Sequence, residues 1–420
     1  MRASPKSLWT QVRVYPAEEV TTRDPGETDP REVGLTAEGM AEIWAAVVRL
    51  YETGLHPSIG LCLRRRGRVV LDRSIGHAHG NAPGAPADGP REPATPRTLF
   101  NIYSASKALT AMVVHLLDER GLLHLDDPVA EYLPEFGKNG KDWITLRHIL
   151  THRAGIPAIP EDVKVDLDLL ADPWRVVRLL CDAHPVSAPG RRLAYHALTG
   201  GFIVGAVVER VTGRDIRSFW RSEVLDPLGF EHLSYGVAPA DVGKVAENVF
   251  TGPPTIPLYS AILKKAFGVG IREACELSND PRYLTALVPA GNVICTANEA
   301  SRFFQLLLQG GELDGVRIFG RRTVQRAIME QTFLEVDSTI GLPVRYGMGF
   351  MLGSKWLSFW GHDTPRAFGH VGFTSVSVYA DPDRDISVAL MTTGKPMISL
   401  GQLTWLNVPR TIARVCSRHG

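Results

Sequence analysis

Residues 100–112 read FNIYSASKALTAM, and they place Lys107 three residues after Ser104 at the front of an otherwise apolar run. Leu109, Met112, Val113, Leu116 and Leu117 continue that run at three- and four-residue spacing, the pattern of a helix with one buried stripe, and Gly121 is placed to end it. Positions i and i+3 share a helix face, so Ser104 and Lys107 are expected side by side in the first turn. A serine hydroxyl becomes a useful nucleophile when a neighbouring base takes its proton, and a partly desolvated amine can serve or assist. The free N–H groups at a helix start favour the oxyanion of acyl transfer. Chance alone supplies about half an S-x-x-K in a chain of this composition, so the tetrapeptide needs its surroundings to acquire meaning.

Working outward, a helix is expected in LTAEGMAEIWAAVVRLYETG, with Thr36 as its cap and Gly54 as its stop. Two strand-like runs follow, Ile59 to Leu63 and Val69 to Ile75, and the basic Arg64-Arg65-Arg66-Gly67-Arg68 between them reads as a solvated hairpin turn. From about 126 to 284 the signals are mostly helical (RHILTHRAGI, PWRVVRLLCDA, LTGGFIVGAVVERVTG, DIRSFWRSEVLDPLG), although 240–284 is irregular. Near the C-terminus Thr374, Val376 and Val378 alternate with Ser375, Ser377 and Tyr379. A turn at Asp381-Pro382-Asp383-Arg384 leads to Ile386, Val388 and Leu390. A last helix is expected near 398–416, interrupted by Pro409. Strands near both ends with helices between them imply an α+β fold, an antiparallel sheet assembled from the two termini with a helical domain inserted. The expected division is an extended arm over 1–35, a sheet domain from 36–125 and 285–420, and a helical domain over 126–284, with the active site between the last two.

Six segments in order resemble the class C β-lactamase-like serine hydrolases, a family that includes esterases, D-amino-acid peptidases and acyltransferases. They are TLFNIYSASKALTAMVVHLLDERGLLHLDDPVAEYLPEF, ITLRHILTHRAGIP, RLAYHALTGGFIVGAVVERVTG, VPAGNVICTANEASRFFQLLLQGGELDG, YGMGFMLG and FGHVGFTSVSVYADPDRDISVALMTTG. S-x-x-K is a motif of penicillin-binding proteins and β-lactamases. The resemblance implies a β-lactamase/transpeptidase-like fold, with Ser104 as nucleophile, Lys107 as its activating neighbour and Tyr195 as general base and later acid. It also implies an oxyanion hole from the N–H groups of Ser104 and Phe373. A close ammonium is expected to lower the Tyr195 phenol from its ordinary pKa near 10 toward the working range. His370-Val371-Gly372 stands where β-lactamases of the family carry Lys-Thr-Gly. Gly372 is expected to let substrate approach the strand, and His370 to orient Tyr195 or the departing group, a purely structural histidine being the alternative. Ala197 replaces the family's usual Asn and His370 its Lys, and both changes shift the expectation from antibiotics with a carboxylate toward neutral esters.

The expected activity is hydrolysis of short to medium acyl esters through an acyl-enzyme. A D-aminopeptidase, a weak β-lactamase or an acyltransferase would use the same site, and a catalytically silent binding or scaffold protein is the reading from another class. Formal net charge of +1 suggests no nucleic-acid partner, and no apolar run is long enough to span a bilayer. The MRASPKSLWTQVRVYPAEEV start lacks the apolar core of a secretory signal, so a soluble cytoplasmic enzyme acting on a small-molecule ester is expected, with no cofactor. Cys62, Cys181, Cys275, Cys295 and Cys416 are odd in number and widely spaced, as buried reduced thiols would be. No metal is expected: His77-Ala78-His79 has no matching ligand pair, and His148 and His152 are read as loop support. Gly394-Lys395 after Thr393 has the lysine last and beyond the strand, so it is set aside as a Lys-Thr-Gly motif. Trp356, Phe359 and Trp360 are expected in a loop overhanging the cleft, as an acyl pocket wall or as packing.

Overall fold

A computed structural model describes residues 9–254, 264, 268–333, 335–396 and 402–418. The first eight residues of the expected arm, part of the irregular 240–284 stretch and the expected helix start at 398–401 lie outside the described residues.

The main sheet is built from strands β1 (Thr21–Arg23), β2 (Ser58–Arg65) and β3 (Arg68–His79) near the N-terminus. Near the C-terminus it uses β8 (Arg345–Tyr346), β9 (Met351–Leu352), β10 (Phe368–Gly372), β11 (Val376–Asp381) and β12 (Ile386–Thr392). Their order is β1-β3-β2-β12-β11-β10-β9-β8, with every neighbouring pair antiparallel. The two ends of the chain meet where β2 pairs with β12, Leu61 opposite Leu390 and Leu63 opposite Val388. Helices cover both faces. On one lie α1 (Ala37–Tyr51) and α8 (Asn407–Val415), whose Ile43, Val47, Val408 and Ile412 share a core with Ile59, Leu61, Val388 and Leu390. On the other lie α2 (Ser106–Glu119) and α7 (Ala297–Leu308), packed on Cys62, Val376, Val378 and Ala389. Because both faces are covered, the polar members of the 374–379 alternation, Ser375, Ser377 and Tyr379, are buried along with Val376 and Val378.

Local chemistry sets the ends of these elements. Thr36 caps α1 by accepting the Gly39 N–H, and Gly54 (φ +68°) turns the chain out beyond it. The helix α2 departs from expectation: every residue from Ser106 to Leu117 is buried, since the sheet lies on one side and the helical region, with α5 (Thr199–Thr212), on the other. Pro409 falls in the first turn of α8, where no intrahelical N–H bond is required, and does not interrupt it. In the basic run only Arg66, Gly67 and Arg68 reach solvent. Arg64 is buried, donating to Ser301 Oγ at 3.0 Å and Asn298 Oδ1 at 2.6 Å. The expected arm is docked as well: β1 pairs with β3, and Val12, Val20, Val33 and Leu35 are buried singly, which is why no periodicity announces them. All five cysteines are buried and unpaired. Among the described residues no helix is long and apolar enough to cross a membrane.

Candidate active site

Ser104 sits in a single tight turn, Tyr103–Ala105, that runs directly into α2. Tyr103 takes a left-handed backbone (φ +48°), its N–H held by Asn101 Oδ1 at 2.8 Å. Lys107 Nζ stands 3.2 Å from Ser104 Oγ, and its other contacts are the carbonyls of Ala197 at 2.6 Å and Ala290 at 3.1 Å. These three oxygens surround the nitrogen and none belongs to a carboxylate. Burial therefore pulls its pKa down to about 7. A neutral amine can give its two N–H groups to the two carbonyls and turn its lone pair toward the Ser104 hydroxyl.

Tyr195 arrives on the stretch before α5. Its ring lies under Lys107, 4.8 Å from Nζ to centroid, and its hydroxyl is hydrogen-bonded to Ser104. The expected acidification of the phenol is reversed. Desolvation raises its pKa well above the ordinary value, the hydrogen bond to Ser104 opposes that rise, and the nearby Asp337 carboxylate adds to it. Of the pair, the lysine is the group whose neutral, proton-accepting form is populated near neutral pH.

Sequence reasoning missed the supports of Tyr195. Asp337 is fully buried, and its Oδ1 accepts the N–H groups of Tyr195 at 3.0 Å, Thr339 at 2.8 Å and Ile340 at 3.1 Å. Its only sequence signal is one Asp inside the unremarkable EVDSTIG. The ring of His152 lies 4.7 Å from that of Tyr195, tilted at 55°, and its Nδ1 accepts the His196 N–H at 3.2 Å. His196 in turn donates from Nδ1 to the Ala194 carbonyl at 2.7 Å and accepts from the Ile156 N–H at 3.3 Å. Burial holds both imidazoles neutral, His196 down to about 4 and His152 well below its ordinary value. His148 accepts the Thr145 N–H with its Nδ1, completing a helix-capping box.

The third segment is placed alongside. His370 is buried with its ring 6.2 Å from that of Tyr195, and its Nδ1 donates to the Val371 carbonyl at 2.7 Å. Burial pushes its pKa down to about 3, with Lys107 contributing, so the imidazole is neutral where the family motif would supply a cation. A Cβ on Gly372 would stand 2.2 Å from the Ile102 carbonyl, so this glycine admits the chain leading to Ser104. Ala197 supplies its carbonyl to Lys107, a role its side chain does not affect. Phe373 and Ser104 line one pocket, of about 620 Å³ counting its open mouth, together with Val165, Leu170, Leu198 and Leu277. The aromatic loop is elsewhere: Trp360 stacks on Tyr379 at 4.9 Å, Phe359 on Trp405 at 6.4 Å, and Trp356 is exposed. It is packing on the far face of the sheet and walls no part of the Ser104 pocket.

The Beta-lactamase family model matches residues 45–409. The chain belongs to the β-lactamase family. Among the family's members it is 30% identical to the esterase/beta-lactamase LipL of Mycobacterium tuberculosis, over 69% of this chain and 68% of that one. Two solved structures share the family fold. A family VIII carboxylesterase superposes with a TM-score of 0.76 at 25% identity, covering 90% of this chain and 98% of that one. A penicillin-binding protein homolog from Caulobacter crescentus superposes with a TM-score of 0.77 at 24% identity, covering 91% and 99%. The chain is thus of a serine hydrolase family spanning esterases, β-lactamases and peptidases, and its mixed helix and antiparallel sheet architecture is that of the family.

Proposed function

We propose that this chain is a carboxylesterase that cleaves short to medium acyl esters through an acyl-enzyme on Ser104. The observation that carries this reading is the pocket beside Ser104, whose described lining is almost wholly aliphatic and aromatic and holds no lysine or arginine. Neutral His370 is consistent with it, because nothing at that position meets a substrate carboxylate. Likeness to an esterase relative and to a family VIII carboxylesterase supports the same choice. Five unpaired thiols fit the cytoplasmic placement expected from the sequence.

In this mechanism neutral Lys107 takes the Ser104 proton as Oγ bonds to the ester carbonyl carbon. The N–H groups of Ser104 and Phe373 receive the resulting oxyanion. Collapse breaks the bond to the alcohol, whose oxygen takes a proton from the Tyr195 phenol, and the proton gained by Lys107 restores that phenol. Water then repeats the cycle on the acyl-enzyme and releases the acid. The proton-accepting role that the family resemblance assigned to Tyr195 passes here to Lys107, since burial favours the phenol over the phenolate and the amine over the ammonium.

Turnover of p-nitrophenyl esters from acetate to octanoate, of nitrocefin and of a D-alanine anilide, measured side by side, tests this reading. Esters are expected to dominate, with a burst of nitrophenol equal to the enzyme concentration. Dominance of the anilide or of nitrocefin would contradict the proposal.

A further inference from the structure

A second buried lysine lies beside the nucleophile turn. Lys395 belongs to β13 (Gly394–Pro396), which pairs in parallel with β6 (Val249–Thr251). It is 0% exposed, and its Nζ donates to the Thr392 carbonyl at 2.6 Å. The same nitrogen stands 4.7 Å from the centroid of the Tyr103 ring, a distance at which an ammonium is attracted to an aromatic face.

Tyr103 immediately precedes Ser104, and its left-handed backbone (φ +48°) is one that a residue with a β-carbon keeps only when its surroundings impose it. The surroundings here are specific. Its hydroxyl is hydrogen-bonded to Ser278 Oγ at 2.8 Å, and its ring packs against Phe373 at 5.2 Å between centroids. Phe373 is also the residue proposed to supply the second oxyanion N–H. One tyrosine ring thus touches Lys395 and Phe373 while its backbone sets the approach of Ser104. Among the described residues, no other contact of the site accounts for a lysine buried at this point.

We propose that Lys395 is a positioning residue for acyl transfer: its ammonium holds the Tyr103 ring and, through it, the strained backbone that aims Ser104 Oγ. This rests on the reading of Ser104 as nucleophile. Burial draws the Lys395 pKa down to about 7 against the opposing pull of the Cys275 thiol, and the titratable groups in electrostatic contact with it are His56, Cys275 and Tyr103. Comparisons therefore belong at pH 6, where the ammonium persists.

The test replaces Tyr103 by tyrosines or phenylalanines carrying successive ring fluorines, which weaken the ring's attraction for a cation at nearly constant size, and adds Lys395→Met. Expected are a stepwise fall in kcat along the fluorinated series and a loss of roughly 10-fold or more in kcat for Lys395→Met, with KM held within about twofold. Fluorophosphonate labelling of Ser104 should slow in parallel. An unchanged kcat across the fluorinated series would overturn the proposal and leave Lys395 as packing, whether or not Lys395→Met folds. The two readings fail separately: Ser104 labelled at the wild-type rate in every variant removes only the role of Lys395, whereas turnover surviving Ser104→Ala removes the nucleophile.

Discussion

Lys107 and Lys395 occupy environments that match closely. Each is buried, each donates to a backbone carbonyl at 2.6 Å, each stands over a tyrosine ring at 4.8 and 4.7 Å, and burial draws both to a pKa of about 7. They differ in the remaining partners. Lys107 has the Ser104 hydroxyl 3.2 Å away, besides a second carbonyl, that of Ala290, at 3.1 Å, whereas Lys395 meets the ring of the residue next to that serine. Desolvation alone therefore makes a lysine a base of suitable strength without giving it a reaction. A reaction requires a hydroxyl within reach, and a cation without one can serve only by holding something else in place.

That contrast breaks most sharply at Lys107. Lys107→Met is expected to reduce ester kcat by roughly 1000-fold, since it removes the proton acceptor, and loss of less than about tenfold would mean that another group does the work. The pH profile sharpens the assignment. Lys107 accepts a proton only when neutral, so in the Lys395→Met variant, where the second lysine cannot titrate, kcat/KM should rise as pH increases through about 7 and level off above it. A profile that falls over the same range would place the required proton on the lysine instead. Tyr195→Phe should cost less, roughly 100-fold, and chiefly in kcat for esters with poorly leaving alcohols, because the phenol is assigned to protonating the leaving oxygen. Equal losses for nitrophenyl and ethyl esters would contradict that assignment. The smallest change is expected in the pocket: Leu170→Trp should lower the octanoate to acetate ratio of kcat/KM by about 10-fold while leaving acetate turnover close to wild type.

How much of this was visible beforehand depended on whether the signal was local. The helix after Ser104, the hairpin of β2 and β3 and the alternation in β11 and β12 each repeat within a few residues, so periodicity exposes them. The order of six segments placed Ser104, Lys107, Tyr195 and His370 in one cleft, and the coordinates bring those four together. The direction of the Tyr195 shift was misread because a neighbouring charge can be inferred from a motif, while the degree of desolvation depends on everything that packs around it. Asp337 and the left-handed Tyr103 left no trace, and Lys395 was noticed only as a motif to set aside, for the same reason: each acts through contacts with residues far away in the chain. The aromatic loop was open between a pocket wall and packing, because closeness in sequence does not say which face a side chain meets; Phe359 and Trp360 pack on the sheet's other face.

The central claim is that Ser104 carries the acyl group. Incubation with a slowly hydrolysed ester, acid quenching within one turnover and peptide mass spectrometry measures it directly. The account predicts an acyl adduct on the peptide containing Ser104, near one per chain, and none in Ser104→Ala; an adduct on a different residue, or multiple turnovers with no adduct at any residue, would contradict it.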